Sequence, residues 1–266
     1  MGMIGLGRKG TQWARAFALH PSCEVVACAD SDADNLSLFA ERFGLEPSAV
    51  YDDFEKMLDE QRLDIVSPIL PVQPNPEVVV RCARTPGLRA IACEKPIAAQ
   101  LSEADDMVQA CKQHGVHFAA GDACRNYAQI NEARRLIDGG AIGDVKQIDL
   151  FESTAEISGG GCQGLSVVRF FAHDSPIESV TGWVAEDPFS DLDQSMGGVI
   201  HFSSGITCFC HNEKVAKRGV EVTGTEGSFR TDLYTWFELE TLEEGSTKLV
   251  TSWEGGALGF VRPREG

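Results

Sequence analysis

The chain has 266 residues, 43% hydrophobic and 24% charged, enough for a real core in one large domain or two modest ones. Twenty-three Lys and Arg stand against 40 Asp and Glu, a formal charge of −17 that repels phosphate backbones and anionic lipid and removes nucleic acid and membrane surfaces as default partners. No apolar run reaches the roughly 18 residues of a membrane span. Nine scattered cysteines without zinc-like spacing predict reduced thiols and a cytoplasmic setting rather than a disulfide framework.

Up to about residue 125, short β-rich runs alternate with helical stretches. Met3–Leu6 predicts a strand and Thr11–Leu19 a helix; Glu24–Ala29 predicts a strand and Asn35–Phe43 a helix ended by Gly44. Next come a strand at Asp64–Ile69, a helix at Pro76–Ala83 and a strand at Ala90–Cys93. A helix at Ser102–His114, with Ser102 as N-cap, and a strand at Val116–Ala120 close the series. This alternation predicts a parallel sheet covered on both faces. After a helix at Ala128–Asp138 the pattern changes to strands at Val145–Glu156, Ile177–Ala185, Gly197–Phe202, Ile206–His211, Gly219–Gly224 and Ser228–Leu233. Turn residues separate them, as in antiparallel hairpins. One helix, Gln163–Phe171, interrupts. The fold class is therefore α/β, a doubly wound parallel sheet followed by an α+β domain with a mainly antiparallel open sheet. With so little helical cover, that sheet implies a partner subunit.

Gly5-Leu6-Gly7-Arg8-Lys9-Gly10 is a GxGxxG between a strand and a helix. Gly5 permits the tight turn, Gly7 admits a pyrophosphate close to the backbone, and Gly10 lets helix and strand pack closely. The helix N-terminus then faces the phosphates. Asp30 follows Gly10 by 20 residues at the end of the second strand, where a carboxylate accepts bonds from ribose hydroxyls and repels a 2′-phosphate. NAD is the expected cofactor, with NADP left open by Arg8 and Lys9. Glu94-Lys95-Pro96 ends a buried-looking strand at the edge where doubly wound folds bind ligands. A lysine there can hydrogen-bond a substrate hydroxyl and exchange its proton. Cys208 and Cys210 share one strand face; His201 and His211 are expected to pack; His114 and His117 are expected at the surface. No metal-ligand spacing occurs. Phe170-Phe171 and Trp236-Phe237 read as core or subunit-contact aromatics.

The segments Ile4–Gly10, Cys93-Glu94-Lys95-Pro96-Ile97, Gly139–Val145 and Gly224–Ser228, in this order, resemble the glucose–fructose oxidoreductase/inositol dehydrogenase (Gfo/Idh/MocA) family over essentially the whole chain. Glu94-Lys95-Pro96 is the most specific element. The resemblance implies a dinucleotide-binding Rossmann domain at 1–122 and a domain at 123–266 used for substrate binding and homo-oligomerisation. It implies NAD(P)-linked hydride transfer at a carbinol or carbonyl carbon of a sugar, cyclitol or related polyol. Lys95 would touch the reacting oxygen. Leu70, Pro71, Asn75 and Glu94 would line the cofactor side, and Arg125, Tyr127, Cys162 and Ser166 the substrate side.

The sequence departs from that family at two places. Leu70-Pro71-Val72-Gln73-Pro74-Asn75 puts Asn75 where a histidine is usual. The helical Asp and His, four residues apart, are replaced by Cys162 and Ser166. A thiol or hydroxyl alone is a poor base at neutral pH, so Lys95 with Tyr127 is the expected catalytic pair, with His173 or Asp174 as substitutes. A non-catalytic dinucleotide-binding protein, or an enzyme using bound NAD transiently for elimination or hydrolysis, remains the alternative. Against the family's length the chain is short at both ends, which predicts either part of a longer protein or a pared-down member.

Overall fold

Short apolar runs, each ended by glycine, proline or an acidic cap, build the first unit, Met1–Gly121. In chain order it comprises β1 (Gly2–Ile4), α1 (Arg8–Ala18), β2 (Ala27–Ala29), α2 (Ala33–Phe43), β3 (Val50–Tyr51), α3 (Phe54–Glu60), β4 (Ile65–Pro68), α4 (Asn75–Ala83), β5 (Ala90–Glu94), α5 (Leu101–His114) and β6 (His117–Gly121). This computed structural model describes the whole chain except residues 152–156, 185–186, 188–193, 195, 212–216, 244–245, 255–262 and 265–266. The six strands lie in the order β3-β2-β1-β4-β5-β6, every pair parallel. Successive residues of a strand face opposite sides, so Met3 and Cys28 pack with Phe39 on one face while Ile4 and Ala29 pack with Val66 and Met107 on the other. Both faces are covered by helices, as the alternation predicts.

Helix boundaries follow local chemistry. Asp32 caps α2, its Oδ1 accepting from the N–H groups of Asp34 and Asn35 at 2.9 and 3.0 Å, and Gly44 ends the helix at φ +65°. For α5 the cap is Gln100, not Ser102: its N–H donates to Glu103 Oε2 at 3.1 Å, a reciprocal box with the third helical residue. The sequence reading omitted β3 and α3. Two-residue β3 has no periodicity to read, and seven-residue α3 is held by burial of Met57 and Leu58.

The second unit, Asp122–Gly266, contains α6 (Ala128–Asp138), β7 (Val145–Leu150), α7 (Cys162–Phe171) entered through a π turn at Ile157–Gly161, β8 (Ile177–Val184), β9 (Met196–Phe202), β10 (Thr207–Cys210), β11 (Val220–Gly224), β12 (Gly227–Thr231), β13 (Trp236–Glu243), β14 (Ser246–Glu254) and β15 (Pro263–Arg264). The nine strands run β15-β14-β13-β12-β11-β7-β10-β9-β8, antiparallel except where β10 lies parallel to β7. The last three strands were missing from the sequence reading, and the ends of two others expected there, 152–156 and Ala185, fall outside the described residues. Helical cover is greater than expected. Ile130 and Ile137 of α6 and Val167, Val168 and Phe171 of α7 pack against Ile148, Leu150, Val222, Phe229 and Phe237. Gly164 brings α7 so close that an added Cβ would meet Leu150 Cδ1 at 2.6 Å. Strand β8, at the sheet edge, leaves Val180 62% and Trp183 51% exposed.

Candidate functional site

The parallel sheet changes direction of winding between β1 and β4, its middle pair, and ligands bind doubly wound sheets outside the carboxyl ends of the strands at such a point. The glycine loop leaves the end of β1 there. Gly5 sits at φ +82°, and a Cβ on it would lie 2.4 Å from the Ile69 carbonyl oxygen, so both conformation and space demand glycine. A Cβ on Gly10 would lie 1.9 Å from the Gly5 oxygen, which is how closely α1 packs on the turn. Gly7 differs: a Cβ there meets nothing within 4 Å. Gly7 is the N-cap of α1, which has no side-chain cap and no acidic residue in its first turn. Its leading N–H groups therefore open onto free space that an anion can fill.

Asp30, at the end of β2, is tied to this loop. Its Oδ2 accepts from the Leu6 N–H at 2.6 Å and its Oδ1 from the Asp32 N–H at 2.9 Å, leaving lone pairs for further donors. Arg8 and Lys9 are exposed, Leu6 is buried, and Leu70 and Pro71 follow β4 beside Gly5. This cradle, with its open space at Gly7 and its anchored carboxylate, fits the pyrophosphate and ribose of a dinucleotide.

Glu94 ends β5 in register with Gly121 of β6, and the half-buried Lys95 follows, its bond to Pro96 cis. Ser67 Oγ donates to the Ala92 carbonyl at 2.7 Å and fixes this strand from β4. Asn75 is 1% exposed. Its Nδ2 donates to Cys93 Sγ at 3.0 Å and to the Ile97 carbonyl at 2.9 Å, so the side chain points into the unit rather than toward open surface. Burial pushes the Cys93 thiol up to about 11.

In the second unit, Arg125 is the centre of a polar group that includes Ser166 and Asp174. Its Nε donates to Ser166 Oγ at 2.9 Å and to the Ser166 carbonyl at 3.0 Å, while both terminal nitrogens grip the Asp174 carboxylate at 2.9 and 3.1 Å. The guanidinium also lies 5.7 Å from the Phe170 ring centroid, with Arg134 at 4.9 Å. His173 and Asp174, with φ of 57° and 50°, form the turn that swings the carboxylate back to Arg125. Hydrogen bonds from Arg125 hold Asp174 below the usual carboxylate range, which makes it a poor proton acceptor. The His173 Nδ1 faces Arg134 at 2.6 Å, so this nitrogen is already engaged. Neither residue suits the role of substitute base. Tyr127 caps α6 and packs with its ring 6.5 Å from that of Tyr234. Cys162 donates its thiol to the Gly159 carbonyl at 3.5 Å.

A second polar group went unread in the sequence. Gln163 Nε2 donates to Asp122 Oδ1 at 3.3 Å, and its Oε1 accepts from the Tyr234 hydroxyl at 3.2 Å. Asp122 Oδ2 is buried without a hydrogen-bond partner. Only the fold joins residues 122, 163 and 234, and no local spacing signals them. Elsewhere, His201 is exposed rather than packed, with Nδ1 3.2 Å from Thr207 Oγ1. His211 stacks on Phe151 and meets Asp149 Oδ1 at 2.8 Å. Among the described residues no group of three metal-ligating side chains occurs, and no helix is long and apolar enough to cross a membrane. None of the nine cysteines is in a disulfide, and Cys208 and Cys210 lie on one strand face as expected, their sulfurs 3.9 Å apart.

A parallel sheet in this order, with a glycine cradle at its switch point and an acidic residue closing the second strand, defines a Rossmann dinucleotide-binding domain. Residues 1–122, just under half of the chain, match the model of the oxidoreductase family with an NAD-binding Rossmann fold, GFO_IDH_MocA. An uncharacterized oxidoreductase of Streptococcus pneumoniae is 30% identical over 144 residues, 54% of this chain but 37% of that relative, so the matched stretch spans well under half of it. A D-xylose 1-dehydrogenase [NADP(+)] of Haloarcula marismortui is 26% identical over 92% of this chain and 76% of its own length. The crystal structure of an oxidoreductase from Agrobacterium radiobacter, solved with NAD+, L-tartaric acid and magnesium, superposes with a TM-score of 0.76 at 20% identity, covering 93% of this chain and 78% of that one. That likeness extends the shared fold through both units.

Proposed function

We propose that the protein is an NAD-linked oxidoreductase that moves hydride between the nicotinamide and a carbinol or carbonyl carbon of a sugar, cyclitol or related polyol, with NADP as a secondary cofactor. The observation that carries this reading is the open, uncapped cradle at Gly7 with Asp30 anchored beside it. The named relatives, a xylose dehydrogenase among them, supply the substrate class. The bound dinucleotide supplies the hydride acceptor. Gly5, Gly7 and Gly10 seat the pyrophosphate, with Leu6, Arg8 and Lys9 in the same loop, and Asp30 accepts from the ribose hydroxyls. Leu70, Pro71 and Glu94 line the cofactor side. Lys95 donates to the substrate oxygen and relays its proton, with Tyr127 assisting. Arg125, held by Asp174 and Ser166, presents a fixed guanidinium edge to hydroxyl-rich substrates, and Cys162 at the start of α7 lines the same side.

The residues 1–122 act in this scheme as the cofactor domain and 123–266 as the substrate domain, whose open sheet pairs with a second copy. Nine cysteines without a disulfide suit a reducing cytoplasm. The test is a panel of sugars, cyclitols and uronates incubated with NAD+ while reduced cofactor is followed by fluorescence. Reduced cofactor in proportion to product supports the reading. Product without net reduced cofactor marks transient oxidation instead, and binding of NAD+ with no change on any substrate marks a pure dinucleotide binder.

A further inference from the structure

Asn75 holds both ends of the segment that carries Lys95. Cys93 and Ile97 flank Glu94-Lys95-Pro96, and one buried amide nitrogen donates to the sulfur of the first and the carbonyl of the second. The Asn75 Oδ1 is buried with no partner. An unpaired buried carbonyl oxygen costs on the order of 1–3 kcal/mol, and the position bears that cost beside the two hydrogen bonds that the amide nitrogen donates. What the amide provides is the pair of donated hydrogen bonds, and both act on the Lys95 segment. The anchor is rigid: Asn75 opens α4, with Pro74 before it and Pro76 after it, and Val78, Val79 and Cys82 of the same helix are buried in the core.

We propose that Asn75 is a positioning residue for Lys95: its side-chain amide, fixed on α4, sets the path of residues 93–97 and so the direction in which the Lys95 ammonium leaves the strand end. This rests on the proposed role of Lys95 for its consequence in turnover. It replaces the expectation that Asn75 contacts the cofactor. The geometry itself requires neither substrate nor cofactor.

The test uses Asn75→Leu and Asn75→Asp, each with the branched heavy-atom frame of asparagine and neither able to donate to Cys93 Sγ and the Ile97 carbonyl together, since leucine has no donor and a carboxyl has one at most. Ser67→Ala serves as a control, because it removes a hydrogen bond to the same strand at Ala92, outside the clamp. Lysines are reductively methylated with 13C-formaldehyde, and the Lys95 signal is assigned by its loss in Lys95→Met. The expected result is a displaced Lys95 methyl resonance in whichever Asn75 variant folds, and no displacement in Ser67→Ala. NAD+ affinity stays within about threefold, while kcat falls at least tenfold with KM little changed. A Lys95 signal unmoved in a folded Asn75 variant overturns the proposal, as does a displacement equally large in Ser67→Ala. Loss of NAD+ affinity with the Lys95 signal unmoved returns Asn75 to the cofactor side. If the parent protein oxidises no polyol, the kinetic arm is silent and the oxidoreductase reading fails, but the methyl signal still decides the role of Asn75.

Discussion

The three glycines of the nucleotide loop should separate folding from binding when each is changed to alanine. At Gly7 the backbone angles, φ −58° and ψ −171°, are open to any residue, and the added Cβ touches nothing within 4 Å. Stability should therefore change by no more than about 1 kcal/mol, since alanine restricts the unfolded chain but caps a helix less well than glycine. The methyl group would occupy the space assigned to the pyrophosphate, and NAD+ affinity should fall at least tenfold, about 1.4 kcal/mol. At Gly10 the added carbon would sit 1.9 Å from the Gly5 oxygen, a backbone atom that cannot turn aside. The start of α1 must shift, an overpacking cost of about 1–3 kcal/mol or more that outweighs the gain of about 1 kcal/mol from replacing a helical glycine. Thermal melting of the cofactor-free protein and a fluorescence titration with NAD+ give the two numbers for each variant. Unchanged NAD+ affinity in Gly7→Ala would remove the pyrophosphate from this loop. A fully stable Gly10→Ala would show that the close approach of helix and turn is absent.

Other outcomes follow from the same geometry. Asp30→Ala should narrow the preference for NAD+ over NADP+ by at least tenfold, read from the two dissociation constants, because the charge that repels a 2′-phosphate is gone; an unchanged ratio would place the adenosine elsewhere. Lys95→Met should abolish turnover on any confirmed substrate while leaving NAD+ affinity within about threefold, checked by stopped assay and titration. Asp174 has its pKa depressed by hydrogen bonds from Arg125, so its contribution to stability is present above the unfolded value of about 4 and lost as pH falls through the lower folded value. The pair is half exposed and its worth is at most about 1 kcal/mol, so Arg125→Met should lessen the loss of stability below about pH 4 in acid melts. Burial pushes the Cys28 and Cys82 thiols up to about 12, leaving roughly one in ten thousand as thiolate at pH 8. Iodoacetamide on the native protein should therefore modify half-buried Cys23 and Cys162 first, as peptide mass spectrometry would show.

Much of the first unit was legible because its signals are local. A glycine whose φ must be positive, an aspartate closing the second strand and a proline ending the fifth are properties of single positions, and strand–helix alternation shows within each short window. The second unit was less so. Strand β13 does alternate, with Phe237 and Leu239 buried between Glu238 and Glu240, but the run is short and acidic, and its place in the sheet is set by pairing with β12 and β14. The group around Arg125 shows the same division. Arg125 and Ser166 were picked out singly, but 41 residues separate them in the chain, and their bond depends on how α7 lies beside the start of α6.

By itself, the sequence determined the nucleotide cradle and the alternating parallel sheet, because backbone sterics and hydrophobic period act over a few residues. Tertiary structure alone decided the direction in which polar side chains point. Asn75 turned inward to clamp Cys93 and Ile97, Asp174 closed on Arg125, and Gln163 joined Asp122 to Tyr234. A buried polar group must find its hydrogen bonds wherever the packed chain brings a partner, and that partner can come from any distance along the sequence.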